Sequence, residues 1–119
     1  MKKSVSVLGT KYSIKRRNFG KDAILKESSF VGYCNSVLKE IVVADASTLP
    51  SADNMSANEK LIFEKTTLRH EIVHAFLNES GLESTLAYNG GWSRNEELVD
   101  WIALQGPKLY RAWIEAEAI

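Results

Sequence analysis

Two histidines, His70 and His74, stand four residues apart with Glu71 between them, in the run His70-Glu71-Ile72-Val73-His74. On an α-helix four residues make slightly more than one turn, so both imidazoles emerge on one face and can grip a single ion. Glu71 is rotated about 100° from His70. It is a poor ligand for that ion but stands beside an open coordination position, where it can take a proton from water. The pair holds the only histidines of the chain and is flanked by Ile72, Val73, Ala75 and Phe76, which favours a built site over two chance residues on a solvated face.

A catalytic zinc takes three protein ligands and leaves its fourth position open. With no third histidine and with Cys34 lying far upstream, the remaining donor is a carboxylate from Asn95-Glu96-Glu97-Leu98-Val99-Asp100, which begins 21 residues past His74. Glu96 is preferred because Asp100 then lies one turn along on the same face, where it can receive the outer ring N–H of a ligand histidine. Glu97 stays as the alternative ligand. Zinc suits two imidazoles and a carboxylate, although manganese, cobalt or nickel could occupy such a set. For stabilising an oxyanion, Tyr88 and Arg94 are the candidates in and beside the connecting loop.

The elements that must position these groups follow from pattern. Tyr12, Ile14 and Arg16 alternate with polar neighbours, and Phe30 to Cys34 and Glu40 to Ala44 read as the two strands of a hairpin turning near Asn35-Ser36. Residues 18–28 fit a loop or a short helix. Ser56 with Glu59 three residues on forms a capping box. It starts a helix of about 24 residues, with Leu61, Leu68, Ile72, Ala75 and Phe76 on one face and Gly81 as its stop. Residues 82–92 read as a loop, and a second helix begins near Arg94, interrupted at Gly106-Pro107. Trp92, Trp101 and Trp113 read as core or rim. The fold expected is α+β: a small N-terminal antiparallel or mixed sheet packed on the long helix, then a glutamate-bearing helix, all within a single domain spanning 1–119.

Composition narrows the class. The 15 Lys and Arg balance 15 Asp and Glu. Zero net charge argues against a nucleic-acid or anionic-membrane partner. Nine of those cations lie in residues 1–40, and the run Lys15-Arg16-Arg17 reads as a solvated strand face. One cysteine, no signal-peptide pattern and no long apolar run give a cytoplasmic expectation, with Cys34 structural.

Three segments carry a resemblance: Gly32-Tyr33-Cys34 with Lys39 to Val43, His70 to Phe76, and Asn95 to Ala103. Together they resemble a minimal gluzincin-type metallopeptidase, similar to the small phage and prophage proteins related to the ImmA/IrrE family. The resemblance implies a zinc peptidase of minimal zincin fold in which His70, His74 and Glu96 hold the metal, Glu71 is the base, and a strand edge within Gly32 to Val43 holds an extended protein or peptide substrate. It does not carry over repressor cleavage, because the small residue and Asn that follow the ligand glutamate in the larger proteins are absent. Two other functions fit the same residues: a metal-containing binding or regulatory module without protease activity, and a DNA-associated protease of the SprT kind.

Overall fold

The computed structural model describes residues 1–83 and 91–119. Within them the protein is α+β, with a four-stranded mixed sheet. The strands are β1 (Ser4–Val7), β2 (Thr10–Arg17), β3 (Gly32–Asn35) and β4 (Glu40–Ala44). The helices are α1 (Ala23–Ser28), α2 (Ala57–Glu79) and α3 (Glu96–Glu115). Spatial order is β1-β2-β4-β3, antiparallel except for the parallel β2–β4 pair. The 30–44 hairpin is present, with Cys34 opposite Ile41 and Lys39 in the left-handed turn conformation at φ 54°. The ambiguous stretch 18–28 contains a short helix, capped by the Asp22 carboxylate on the Leu25 N–H.

β4 is buried along its whole length because it is central to the sheet and covered on both faces, which is why Ile41 to Ala44 read as an unbroken apolar run. On one face Val7, Tyr12, Ile14, Ile41 and Val43 pack against Ala75, Leu68 and Ile72 of α2. On the other, Val42 and Ala44 meet Leu25 of α1 and Leu49. Each fully buried aliphatic side chain of this kind contributes about 1.5–3 kcal/mol.

The capping box starts α2: the Ser56 hydroxyl accepts from the Glu59 N–H, and the Glu59 carboxylate accepts from the Ser56 N–H. Two clamps then fix the helix on the sheet. Near its start, buried Glu64 accepts from Arg16 Nε at 3.0 Å, from a terminal Arg16 nitrogen at 2.8 Å and from the Ala46 N–H at 2.8 Å. At its end Glu79 accepts from the Tyr12 hydroxyl at 2.6 Å and from Thr10 at 3.1 Å, and pairs with Lys39 at 2.5 Å. These contacts hold the Glu79 carboxyl down at about 2. The clamps are 15 residues apart, roughly 22 Å of helix, and residues 70–74 lie between them.

The expected apolar stripe of α2 is revised. Its buried residues are Glu64, Thr67, Glu71 and Ala75, while Leu61 and Phe76 are exposed. The helix turns a partly polar line inward because that line carries the Arg16 clamp and the floor of a cleft. The three tryptophans are also exposed rather than in the core. Finally, α3 does not break at Gly106-Pro107 but runs on to Glu115. A proline at 107 cannot donate to the carbonyl of Ala103, and Arg69 Nε donates to that carbonyl instead at 3.1 Å, so the freed acceptor is satisfied and the helix continues. No helix among the described residues is long and apolar enough to cross a membrane.

Candidate metal centre

α2 carries His70, Glu71 and His74 on the side facing the start of α3, and the side chain of Asn95 begins α3 by accepting from the Leu98 N–H. That cap aims the first turn of α3 back at α2. Glu96 Oε2 lies 2.9 Å from His70 Nε2, Glu96 Oε1 lies 3.1 Å from His74 Nε2, and the two Nε2 atoms are 3.0 Å apart. Glu97 takes no part in this cluster and does not line the cleft around it.

The outer ring nitrogens are both engaged. Asp100 Oδ1 is 2.7 Å from His70 Nδ1, and the Ser93 carbonyl is 2.5 Å from His74 Nδ1. A carboxylate and a carbonyl can only accept, so each neutral ring carries its hydrogen on Nδ1 and turns a bare Nε2 lone pair inward. With both rings neutral, two imidazole lone pairs and a carboxylate converge within 3.1 Å of one another. Such a set is repulsive until a cation enters it. Donors arranged tetrahedrally around zinc at about 2.0–2.1 Å stand about 3.3 Å apart, close to the spacing seen, so the residues present fit the ion.

His70, Glu71 and His74 also lie close enough together to share a metal. Distance separates the two carboxylates, since the nearest Glu71 oxygen is 4.0 Å from His70 Nε2, against 2.9 Å for Glu96. Glu71 is buried, and that burial, with the charges of Glu96 and Asp100 adding to it, pushes its carboxyl up to about 8. A carboxyl of that kind is a proton carrier near neutral pH.

The group opens on a cleft of about 580 Å³ between α2 and the segment leading into β3. Gly32 sets how closely these walls approach. A Cβ there would stand 2.7 Å from Thr67 Cγ2 and 3.2 Å from Glu71 Cγ, so only glycine lets the strand lie against the base. Cys34, on the same wall, donates nothing to the cluster; burial, with Glu71 near it, raises its thiol to about 12, in keeping with a structural role. Arg94 lines the cleft, whereas Tyr88 lies outside the described residues.

Sequence reasoning missed Ser93 and Gly32. Ser93 acts through its carbonyl, which any residue type possesses, so no side-chain pattern announces it. The Gly32 contact is with a helix 35 residues away in sequence. Gly91, beside Ser93, could have been noticed: a Cβ there would fall 1.7 Å from the Leu82 carbonyl oxygen, which also accepts from the Ser93 N–H. No family model, curated protein or solved structure matches this chain.

Proposed function

We propose that the protein is a zinc-dependent peptidase of minimal zincin architecture, with His70, His74 and Glu96 as ligands and Glu71 as general base. The observation that carries the reading is the convergence of three lone-pair donors, two held from behind by Asp100 and Ser93, beside a buried carboxyl. Bound zinc would polarise a peptide carbonyl and acidify water at its open position. The chain's own residues do the rest. Glu71 takes the proton of the attacking water and returns it to the departing amine. Asp100 and the Ser93 carbonyl keep both rings in the ligating tautomer. Arg94 is the described residue that could steady charge on the carbonyl oxygen.

β3 is an edge strand, and Val31 already gives its carbonyl to the Ala44 N–H. Antiparallel alternation then turns the backbone groups of Gly32 and Cys34 outward, toward a peptide added as a fifth strand. This arrangement supports the kinship with phage and prophage relatives of the ImmA/IrrE proteins as a proposal. A DNA-associated role is less favoured, because Lys15, Arg16 and Arg17 are all occupied by carboxylates.

The reading is tested with Glu71→Gln, which keeps size and removes the base. The variant should hold its zinc while cleavage of an unstructured protein falls by at least about 100-fold. Equal cleavage by both proteins would place the activity elsewhere. No cleavage by either, with a partner held equally by both, would favour the regulatory binding module.

A further inference from the structure

α3 carries an apolar line along its whole length, but only the first half of that line is covered. Val99, Ala103, Gly106, Tyr110 and Trp113 follow one another at alternating steps of four and three, so they share one side of the helix. Val99 and Ala103 are buried, whereas Tyr110 is 55% and Trp113 46% exposed. Leu109 and Ile114 flank the line on either side and are exposed as well, as is every residue from Pro107 to Ile119. Tyr, Trp and Ile are only middling helix formers, so what such residues contribute to a helix comes from burial, and here the chain itself buries none of them.

α2 continues the same uncovered face. Ile62 stands one turn before Thr66 and two before Arg69, which bonds both Thr66 and the Ala103 carbonyl, so Ile62 is on the side of α2 that faces α3. Yet Ile62 is 56% exposed. The helices meet at Arg69 and Ala103 and do not close over one another beyond that point. Neither Ile62 nor the four apolar residues of the second half of α3 line the cleft of the metal centre.

The size of this face indicates what can cover it. Half of an aromatic side chain amounts to roughly 100 Å², and the five residues together leave roughly 450 Å² of apolar surface open, the scale at which such patches mark contact sites. Homodimer interfaces are about 65% apolar, which implies roughly 700 Å² per copy and 1,400 Å² in all, inside the roughly 1,200–2,000 Å² of stable complexes. Charge agrees with this. Lys108, Arg111 and Glu115 lie on the back of the helix with both signs together, so the patch is uncharged, as homodimer cores are, and no cationic excess draws it to anionic lipid. A stripe along one helix is also complementary to itself across a twofold axis, the commonest symmetry of protein dimers.

We infer that the second half of α3, with Ile62 of α2, is the contact surface of a homodimer. A second copy of this chain lies antiparallel on it, with Tyr110 of each copy against Trp113 of the other. The surface is apart from the cleft, and the inference holds whatever reaction the metal centre performs.

The experiment follows the mass of the full zinc-loaded chain by sedimentation velocity from about 1 to 100 μM, since interfaces of this size range from micromolar to picomolar affinity. Wild type should sediment as two chains at the top of that range, and its melting temperature should rise with protein concentration. Tyr110→Ser and Trp113→Ser alter exposed positions and should keep the fold by circular dichroism, while each weakens the dimer by at least about 30-fold, the effect of removing a central aromatic. Trp101→Ser is the control. Trp101 is equally open, but its place two residues past Val99 puts it on the outer side of α3, so its loss should leave the dimer unchanged. A chain that stays single at 100 μM overturns the inference, as does a dimer that Tyr110→Ser and Trp113→Ser leave intact or that Trp101→Ser disrupts as strongly. Pelleting of single chains with phosphatidylserine vesicles would assign the face to a membrane and overturn it too.

Discussion

In metal-free protein, Glu71 should be a liability that grows with pH. Its carboxyl has an ordinary value of 4.5 and is raised to about 8 in the fold, first by burial and then by the charges of Glu96 and Asp100. Below 4.5 both folded and unfolded chains keep the proton, and Glu71 has no effect on stability. Between 4.5 and about 8 the unfolded chain releases it while the fold retains it, so stability falls as pH rises, and above about 8 the loss levels off. At about 1.4 kcal/mol per pH unit, the whole interval amounts to an upper figure on the order of 5 kcal/mol, comparable to the total stability of many small domains. Glu71→Gln removes the ionisation and keeps the shape. In the presence of a chelator the variant should melt at nearly the wild-type temperature at pH 5 and clearly above it at pH 9. A loss of even 2 kcal/mol moves Tm by about 6–12 °C in a domain of this size. The assay is thermal melting by circular dichroism at pH 5, 7 and 9, repeated with zinc, whose charge should shrink or reverse the gap. A variant that melts with or below wild type at pH 9 without metal, or a gap that is the same at all three pH values, would refute the buried-carboxyl argument.

Purified protein should bind about one zinc, and His70→Ala or His74→Ala should abolish tight binding by elemental analysis after dialysis. Asp100→Ala should weaken zinc affinity about 10- to 100-fold in a competitive chelator titration, toward the lower figure because the Asp100 side chain is 59% exposed; unchanged affinity would deny it any role behind His70. Gly32→Ala forces a methyl against Thr67 and Glu71 and should lower stability by about 1–3 kcal/mol in urea unfolding, and adding Thr67→Ser, which deletes the atom 2.7 Å away, should restore part of it. Glu64→Ala should cost about 1–3 kcal/mol in the same assay, chiefly because it leaves the buried Ala46 N–H unpaired, while half-exposed Arg16 keeps Asp45 and water as partners.

Much of this was legible because the groups concerned are close in sequence. The capping box, the hairpin at 30–44 and the four-residue spacing of His70 and His74 are local relations set by helix and strand periods, and each holds whatever the rest of the chain does. Glu96 could be preferred over Glu97 for the same reason, through its one-turn relation to Asp100. Where local rules misled, distant partners had intervened. Pro107 should stop a helix, but Arg69 answers the carbonyl it frees. Leu68, Ile72 and Ala75 of the expected stripe on α2 do face the sheet, but Arg16 draws Glu64 to the interior beside them, and Leu61 and Phe76 stay exposed.

By itself, then, the sequence determined most of the repeating backbone structure and which side chains offer lone pairs, because hydrogen-bonded periods and side-chain chemistry are properties of short segments. Only the tertiary structure decided how those donors meet. The 2.9 Å and 3.1 Å approaches of Glu96 depend on the angle at which α3 returns, the tautomers of both rings depend on Asp100 and on a backbone carbonyl at Ser93, and the depth at which Glu71 sits depends on a missing side chain at Gly32. Each of these is a contact between residues about 20 to 40 positions apart, fixed by packing, which no local period encodes.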